Sequence, residues 1–313
     1  MEGVVIRSTG SWYNIWCQST EAEITARLKG SFRQDESKFT NPIAVGDIVV
    51  MTYENGDYII DQIKERRNYI VRQSPKHRLA KHIIASNLDQ AALIVSIQKP
   101  RTSSGFIDRF MTTAEAYNIP VVLIINKVDL YKSPKDKAIL EEWMQTYTNL
   151  GYKVIATSAE EKIGLDELKN ILDGKQTLFS GHSGVGKSSL LNAIDPSLNL
   201  RTNVISKVHE KGMHTTTYAE MFFSKELNAN FIDTPGIKEF GVLAIEKHEL
   251  KYYFREMAAQ LNQCKFDDCL HINEPQCKVM ELWNEDKIAD FRYQNYRNIL
   301  DDIISQNDSW ERK

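Results

Sequence analysis

The residues best placed to do chemistry fall into five short clusters and one cysteine-rich segment. Gly181-His182-Ser183-Gly184-Val185-Gly186-Lys187-Ser188 matches the phosphate-cradling pattern G-x-x-x-x-G-K-[ST], and Ser189 continues it into a helical run. Glycines at this spacing let backbone N–H groups curl around a β-phosphate, and the helix start adds its positive end. Lys187 would neutralise the β- and γ-phosphates, and the Ser188 hydroxyl would ligate Mg2+. The strand-like TLFS precedes the cluster and SSLLNAI follows it, which is the context the pattern needs.

Asn126-Lys127-Val128-Asp129 follows the apolar run VVLII and reads N-K-x-D. A carboxylate at Asp129 accepts two hydrogen bonds from the guanine N1–H and exocyclic amine, donors that adenine does not present as a pair. The Lys127 stem covers the flat base. Taken alone, the four residues also suit an ordinary turn after a strand. Thr157-Ser158-Ala159 follows KVIA and resembles the loop whose backbone N–H reads guanine O6, with Ser158 and Ala159 in place to do so. Together the clusters imply a guanine nucleotide, GTP or GDP, and argue against an ATPase or nucleotide kinase.

Asp233-Thr234-Pro235-Gly236 closes the run NFI. Asp233 would hold the Mg2+ shell through water, and the Gly236 N–H would sense the γ-phosphate. Between this and the phosphate cluster lies Gly212-Met213-His214-Thr215-Thr216-Thr217. A threonine there completes Mg2+ coordination only when the γ-phosphate is present. Thr216 is favoured, with Thr215 and Thr217 beside it. Ile237 occupies the place where related GTPases carry a water-positioning glutamine. Ile cannot orient water, so His214 is the nearby polar candidate, and catalysis would fall to Lys187, Thr216 and His214. Without help from His214 or a partner, intrinsic hydrolysis would be slow.

Cys264-x4-Cys269-x-His271-x5-Cys277 offers three thiolates and one imidazole within one short segment. That is a closed four-ligand set, as expected of one structural Zn2+ and not of a catalytic metal with an open position. The other reading is a group of buried reduced thiols with a surface histidine.

These residues need elements to hold them. Residues 1–72 read as about five short strands, GVVIRS, WYNIWCQ, EITARL, DIVVMTY and YIIDQI, with Asn55-Gly56 as a hairpin signal. They predict a small β-barrel, an OB-fold, with an SH3-like barrel as the alternative. Residues 73–86 read as a basic linker, and the basic stretch 64–82 that overlaps it as a linker or a mobile loop. From Lys64 to Lys81 there are seven basic residues and one acid. Residues 87–240 alternate apolar strands with helical stretches, which predicts a parallel sheet covered on both faces, an α/β P-loop GTPase domain. Residues 241–313 read as a mainly helical domain carrying the cysteines.

The clusters run in an unusual order: NKVD, TSA, phosphate loop, HTTT, DTPG. A GTPase chain ordinarily begins with the phosphate loop. The order predicts a circularly permuted domain whose second switch leads straight into the C-terminal region.

The chain has 313 residues, 42% hydrophobic and 26% charged, with net charge −3. This is an ordinary globular composition and excludes a strongly basic nucleic-acid binder. No run of about 18 apolar residues suggests a membrane span. The N-terminus lacks the basic start and apolar stretch of a secretory signal, so a cytoplasmic protein without membrane association is expected. A monomer is expected as well.

The permuted order, GHSGVGKSSLLNA, HTTT, DTPG, the N-terminal barrel and CKFDDCLHINEPQC together resemble the RsgA (YjeQ/YloQ) family of small-ribosomal-subunit-dependent GTPases. The resemblance spans nearly the whole chain. It implies GTP hydrolysis stimulated by the 30S subunit in late assembly, with contact to 16S rRNA. It implies phosphate-loop roles for Lys187 and Ser188 and base-reading roles for Asn126 and Asp129. It further implies Zn2+ on Cys264, Cys269, His271 and Cys277, and a hydrolysis-assisting role for His214. Met213 departs from the family pattern, which has a polar or basic residue there. RNA contact is expected from the basic stretch 64–82 more than from Trp12, Tyr13, Trp16 and Phe32, at least half of which suit a barrel core. A competing reading keeps the chain as an RNA-binding assembly factor that uses GTP only as a conformational latch.

Overall fold

The structure is a computed structural model that describes residues 1–29, 41–73, 81–200, 219–233 and 245–311. Five strands open the chain: β1 (Glu2–Ser8), β2 (Trp12–Cys17), β3 (Ala22–Leu28), β4 (Ile48–Glu54) and β5 (Asp57–Ile63). They are ordered β1-β2-β3-β5-β4, and a β1–β4 pairing closes the ring, with β3 and β5 parallel. That closure is the five-stranded OB arrangement, so the OB reading holds over the SH3-like one. Alternation explains the barrel: Val5, Tyr13, Ile15, Cys17, Ala26, Val49, Met51 and Ile60 point inward and are buried together. Asn55 and Gly56 both take left-handed φ, +52° and +91°, as a tight hairpin turn requires. Among the N-terminal aromatics, Tyr13 is core, Trp12 is 43% exposed, and Trp16 packs on Phe223 with ring centroids 5.3 Å apart. Phe32 lies outside the described residues.

The linker expectation needs correcting. β6 (Tyr69–Gln73) and β7 (Lys81–Ser86) form an antiparallel two-stranded sheet, so strand 81–86 falls where a linker was expected. The reason is apolar burial: Ile70, Val71, Ile83 and Ala85 are at most 1% exposed. The stretch's basic residues and Pro75 dominate its composition and mask those few apolar positions. Residues 74–80 lie outside the described residues.

The following strands are β8 (Gln90–Val95), β9 (Val121–Ile125), β10 (Lys153–Ala156), β11 (Gln176–Ser180), β12 (Glu220–Ser224) and β13 (Ala229–Asp233). Their order is β10-β9-β8-β11-β13-β12, all parallel except β12. β8 and β9 are buried at every position, as central parallel strands must be when helices cover both faces. α1 (Ser104–Ala116) and α2 (Pro134–Asn149) cover one face through Ile107, Phe110, Met111, Trp143 and Tyr147. α3 (Leu165–Leu172) and α4 (Lys187–Ile194) cover the other through Leu165, Leu168, Leu190 and Leu191. Ser103 caps α1 by accepting from the Phe106 N–H, and Ser133 caps α2 ahead of Pro134. β1 joins β12 through the Arg7–Glu220 register pair, which merges barrel and α/β strands into one eleven-stranded sheet.

The C-terminal part carries α5 (Arg255–Ala258), α6 (Lys278–Asn284) and α7 (Asp290–Glu311) around a core of Phe254, Met257, Val279, Tyr293, Tyr296 and Leu300. α7 packs on α1 through a buried polar cluster. Asp108 of α1 is fully buried and accepts from Arg292, from Asn295 Nδ2 at 2.6 Å and from Tyr147 Oη at 2.6 Å. Arg292, itself 1% exposed, also grips Glu256 with two bonds of 2.6 and 2.8 Å. Nearby, Arg255 donates to Glu115 at 2.7 Å and lies 3.8 Å over the Tyr152 ring. No described helix is long and apolar enough to cross a membrane.

Candidate functional site: a nucleotide pocket and a cysteine-histidine cluster

The carboxyl ends of β8, β9, β10, β11 and β13 point to one edge of the α/β sheet, where open parallel sheets bind ligands. The phosphate loop leaves β11 there and runs into α4. Gly181 has φ +146° and lies so close to the Ile94 carbonyl that a side chain would collide with it. Gly186 has φ +98°, and a Cβ there would sit 2.5 Å from Asn126 Nδ2. Both glycines are therefore dictated by close approach as well as by backbone conformation. Val185 is fully buried and anchors the loop. Ser183, Gly184 and Ser189 are exposed, while Ser188 is half-buried at the start of α4.

Lys187 folds back so that Nζ donates to the Gly181 carbonyl at 2.9 Å. Burial lowers its pKa while the Asp233 carboxylate at the end of β13 pulls the other way. That coupling sets Asp233 and Lys187 in one electrostatic neighbourhood. His182 lies against Phe106 of α1, ring centroids 4.0 Å apart. Burial, then the Lys187 ammonium, depresses the His182 pKa and favours the neutral imidazole.

The NKVD residues follow β9 directly. Asn126 is 1% exposed and staples three segments: its Nδ2 donates to the Val185 carbonyl at 2.9 Å, and its Oδ1 accepts from Thr157 Oγ1 at 3.1 Å. Lys127 adopts left-handed φ +66°, and its Nζ bonds the carbonyls of Gly184, at 2.6 Å, and Lys99. Burial lowers the Lys127 pKa against the pull of Asp129. Ser158 Oγ donates to Asp129 Oδ1 at 2.6 Å, so the carboxylate is aimed by the TSA loop. Ser158 is fully buried and Ala159 half-buried beside it. The NKVD segment and the glycine-rich loop are thus mutually bonded.

His214 and Thr216, with Thr215 and Thr217, and Gly236 with Ile237, all lie outside the described residues.

Cys264, Cys269, His271 and Cys277 bring their ligand atoms within 4.8 Å of one another. Cys264 Sγ and Cys277 Sγ are 3.9 Å apart, and His271 Nδ1 lies 3.6 and 3.4 Å from them. Metal–sulfur bonds of about 2.3 Å in a tetrahedron give sulfur–sulfur edges of about 3.8 Å, so the set fits a zinc-sized ion. Burial holds the His271 pKa down to about 4, leaving the neutral imidazole a metal ligand needs. Burial also pushes the Cys269 thiol up to about 12, so a cation is what would favour its thiolate. The backbone around the cluster is fixed from outside. The Glu274 carboxylate accepts from the N–H groups of Leu270 and Ile272 at 2.7 Å and of Asn273 at 3.0 Å. Tyr293 and Tyr296 of α7 donate to the carbonyls of His271 and Leu270 at 2.8 and 2.9 Å.

Several residues that pack on or bond to these segments carry no motif signal. Phe106, Tyr131, Tyr293 and Tyr296 have no motif of their own. Only Tyr131 carried a signal, its place two residues past the NKVD aspartate.

The RsgA GTPase family model matches residues 63–243, and the RsgA N-terminal domain model matches residues 2–58. The small ribosomal subunit biogenesis GTPase RsgA of Flavobacterium psychrophilum is 47% identical over 309 residues, covering 96% of this chain and 93% of that protein. RsgA 2 of Bacteroides thetaiotaomicron is 45% identical, covering 96% of this chain and 97% of that protein. Among solved structures, YjeQ from Thermotoga maritima superposes with TM-score 0.78 at 34% identity, over 97% of this chain and 98% of that one. YloQ, described as a circularly permuted GTPase, superposes with TM-score 0.74 at 30% identity, over 97% and 95% of the two chains. With a family model spanning more than half of the sequence and near full-length relatives, this chain belongs to the RsgA GTPase family.

Proposed function

We propose that this chain hydrolyses GTP to GDP and phosphate while bound to the 30S ribosomal subunit, in late assembly of that subunit, and that the subunit stimulates turnover. The relatives are named small ribosomal subunit biogenesis GTPases. The observation that carries the guanine reading is the Asp129 carboxylate, held by Ser158 within a loop that Asn126 and Lys127 bond to the phosphate loop.

In this reading Asn126, Lys127, Asp129, Ser158 and Ala159 hold the base, and Gly181 to Ser189 hold the phosphates. Lys187, whose Nζ is turned into the loop 2.9 Å from the Gly181 carbonyl, would neutralise γ-phosphate charge. Mg2+ bound with GTP would sit between Ser188, Thr216 and, through water, Asp233. His214 would assist the attacking water, with Gly236 sensing the γ-phosphate. One Zn2+ would be held by Cys264, Cys269, His271 and Cys277 as a structural ion. A monomer working in the cytoplasm and touching 16S rRNA, partly through the basic stretch 64–82, is the setting that fits. The functional units would be 1–72, 87–240 and 241–313.

Phosphate release measured with and without 30S subunits tests the central claim. Strong stimulation is expected, and an unchanged rate would sink it in favour of a GTP-controlled latch, a reading Ile237 keeps open. Asp129→Asn should weaken GTP and gain xanthosine triphosphate, since each charge-assisted hydrogen bond is worth about 1.5–3 kcal/mol. Unchanged GTP affinity would refute the base assignment.

A further inference from the structure

Tyr131 is 3% exposed, yet its hydroxyl is not idle in the core. It accepts a hydrogen bond from the Ile97 N–H at 2.9 Å and donates one to the Asn126 carbonyl. Those two partners lie on different loops. Asn126 begins the base-reading loop. Ile97 is the second residue of the loop that leaves β8, which turns back at Thr102, whose N–H donates to the Ser96 carbonyl at 2.8 Å and whose Oγ1 accepts from the Ser96 N–H at 3.2 Å.

The β8 loop matters because of what it touches. The Lys99 carbonyl accepts from Lys127 Nζ, the same ammonium that bonds Gly184 of the phosphate loop. Pro100 Cδ would be 3.6 Å from a Cβ on Gly184. So the loop is one wall shared by Lys127 and the phosphate loop, and Tyr131 pins that wall to the peptide immediately before Lys127. That peptide also supports the left-handed Lys127 backbone, φ +66°, a conformation uncommon for a residue other than glycine.

We infer that Tyr131 is a positioning residue for guanine-nucleotide binding: its hydroxyl clamps the loop after β8 to Asn126, so that Lys127 and Asp129 are set for the base before nucleotide arrives. The inference rests on the guanine-site reading above and adds a residue that touches neither base nor phosphate. A preorganised site holds its ligand longer, because less ordering is demanded on binding.

Tyr131→Phe keeps the ring and removes only the clamp. Dissociation of a fluorescent N-methylanthraniloyl-GDP from the full chain should accelerate by roughly 5- to 30-fold, the loss of one or two net hydrogen bonds. The KM for GTP should rise by a similar factor with kcat nearly unchanged, since the base is held alike in ground and transition states. Tyr147→Phe is the control: it deletes another buried hydroxyl, 2.6 Å from Asp108 at the α1–α7 contact, and should leave nucleotide dissociation alone. Thr102→Val removes the hydroxyl that accepts from the Ser96 N–H, a further bond of the same loop, and should accelerate dissociation in the same direction; it decides the matter if Tyr131→Phe folds poorly. An unchanged off-rate in Tyr131→Phe, an equal acceleration in Tyr147→Phe, or a fall in kcat at constant KM would overturn the positioning role. Failure of the folded wild-type chain to bind the GDP probe would overturn the guanine reading and this inference together, whereas normal wild-type binding with an unaffected variant overturns this inference alone.

Discussion

Arg292→Met offers the sharpest test of how the C-terminal domain is fastened. Arg292 is 1% exposed and neutralises Asp108 of α1 and Glu256 of α5 at once. The methionine would fill much of the volume beside Phe254, whose ring lies 4.5 Å from the guanidinium carbon. It would leave two buried carboxylates facing each other with only Tyr147 and Asn295 donating to Asp108. Removing one partner of a buried ion pair costs about 3–5 kcal/mol, mostly the penalty of the stranded charge. With a urea slope of about 2 kcal/mol per molar, the transition that releases α7 should move down by about 1.5–2.5 M. A multidomain chain need not unfold in one step, so the readout is local: hydrogen exchange of α7 amides across a urea series. Adding Asp108→Asn and Glu256→Gln to the same variant removes the stranded charges and should recover at least half of the shift. A midpoint within about 0.5 M of wild type would show that the cluster does not hold the domains together.

Three further outcomes are expected. Gly186→Ala must place a methyl 2.5 Å from Asn126 Nδ2 at φ +98°, so it should abolish tight GDP binding while leaving far-ultraviolet circular dichroism intact; isothermal titration checks it. His182 has a folded pKa below its ordinary value, so the unfolded chain takes up its proton first as pH falls. Stability should therefore decline below about pH 6.5, and His182→Gln should flatten that decline in thermal melts from pH 7.5 to 5.5. Chelation of metal by a strong zinc ligand should loosen the segment 264–277 and the α7 residues Tyr293 and Tyr296 that bond to it, read as faster hydrogen exchange there with the barrel unaffected.

Much of this molecule was legible in its sequence because chemistry fixes residue type and spacing. The glycines of G-x-x-x-x-G-K-[ST] stand out in the sequence, and the structure shows why a side chain does not fit there: a Cβ on Gly181 would meet the Ile94 carbonyl and one on Gly186 the Asn126 amide. The barrel was legible because alternate positions such as Tyr13, Ile15 and Cys17 face one core. The β6–β7 hairpin was not, since four buried apolar residues cannot outweigh a dense run of charge in a composition. Nor was the α1–α7 fastening. Asp108 and Arg292 read like any helix-surface charges until α7 is laid against α1, and a contact 184 residues apart leaves no local periodicity. Tyr131 escaped for a related reason: its ring reads as core, and only the partners of its hydroxyl reveal an additional task.

The single register pair between Arg7 and Glu220 has a consequence for solubility. β12 pairs with β13 on one side, and its other side would be an open row of backbone donors and acceptors carrying Phe222 and Phe223. β1 pairs with the first residue of that margin, and the Trp16 ring packs on Phe223 further along it. The barrel therefore acts as an end-stop for the α/β sheet as well as a module in its own right. A chain truncated before β8 would bare a sticky strand, of the kind that recruits a second molecule edge to edge and seeds aggregation.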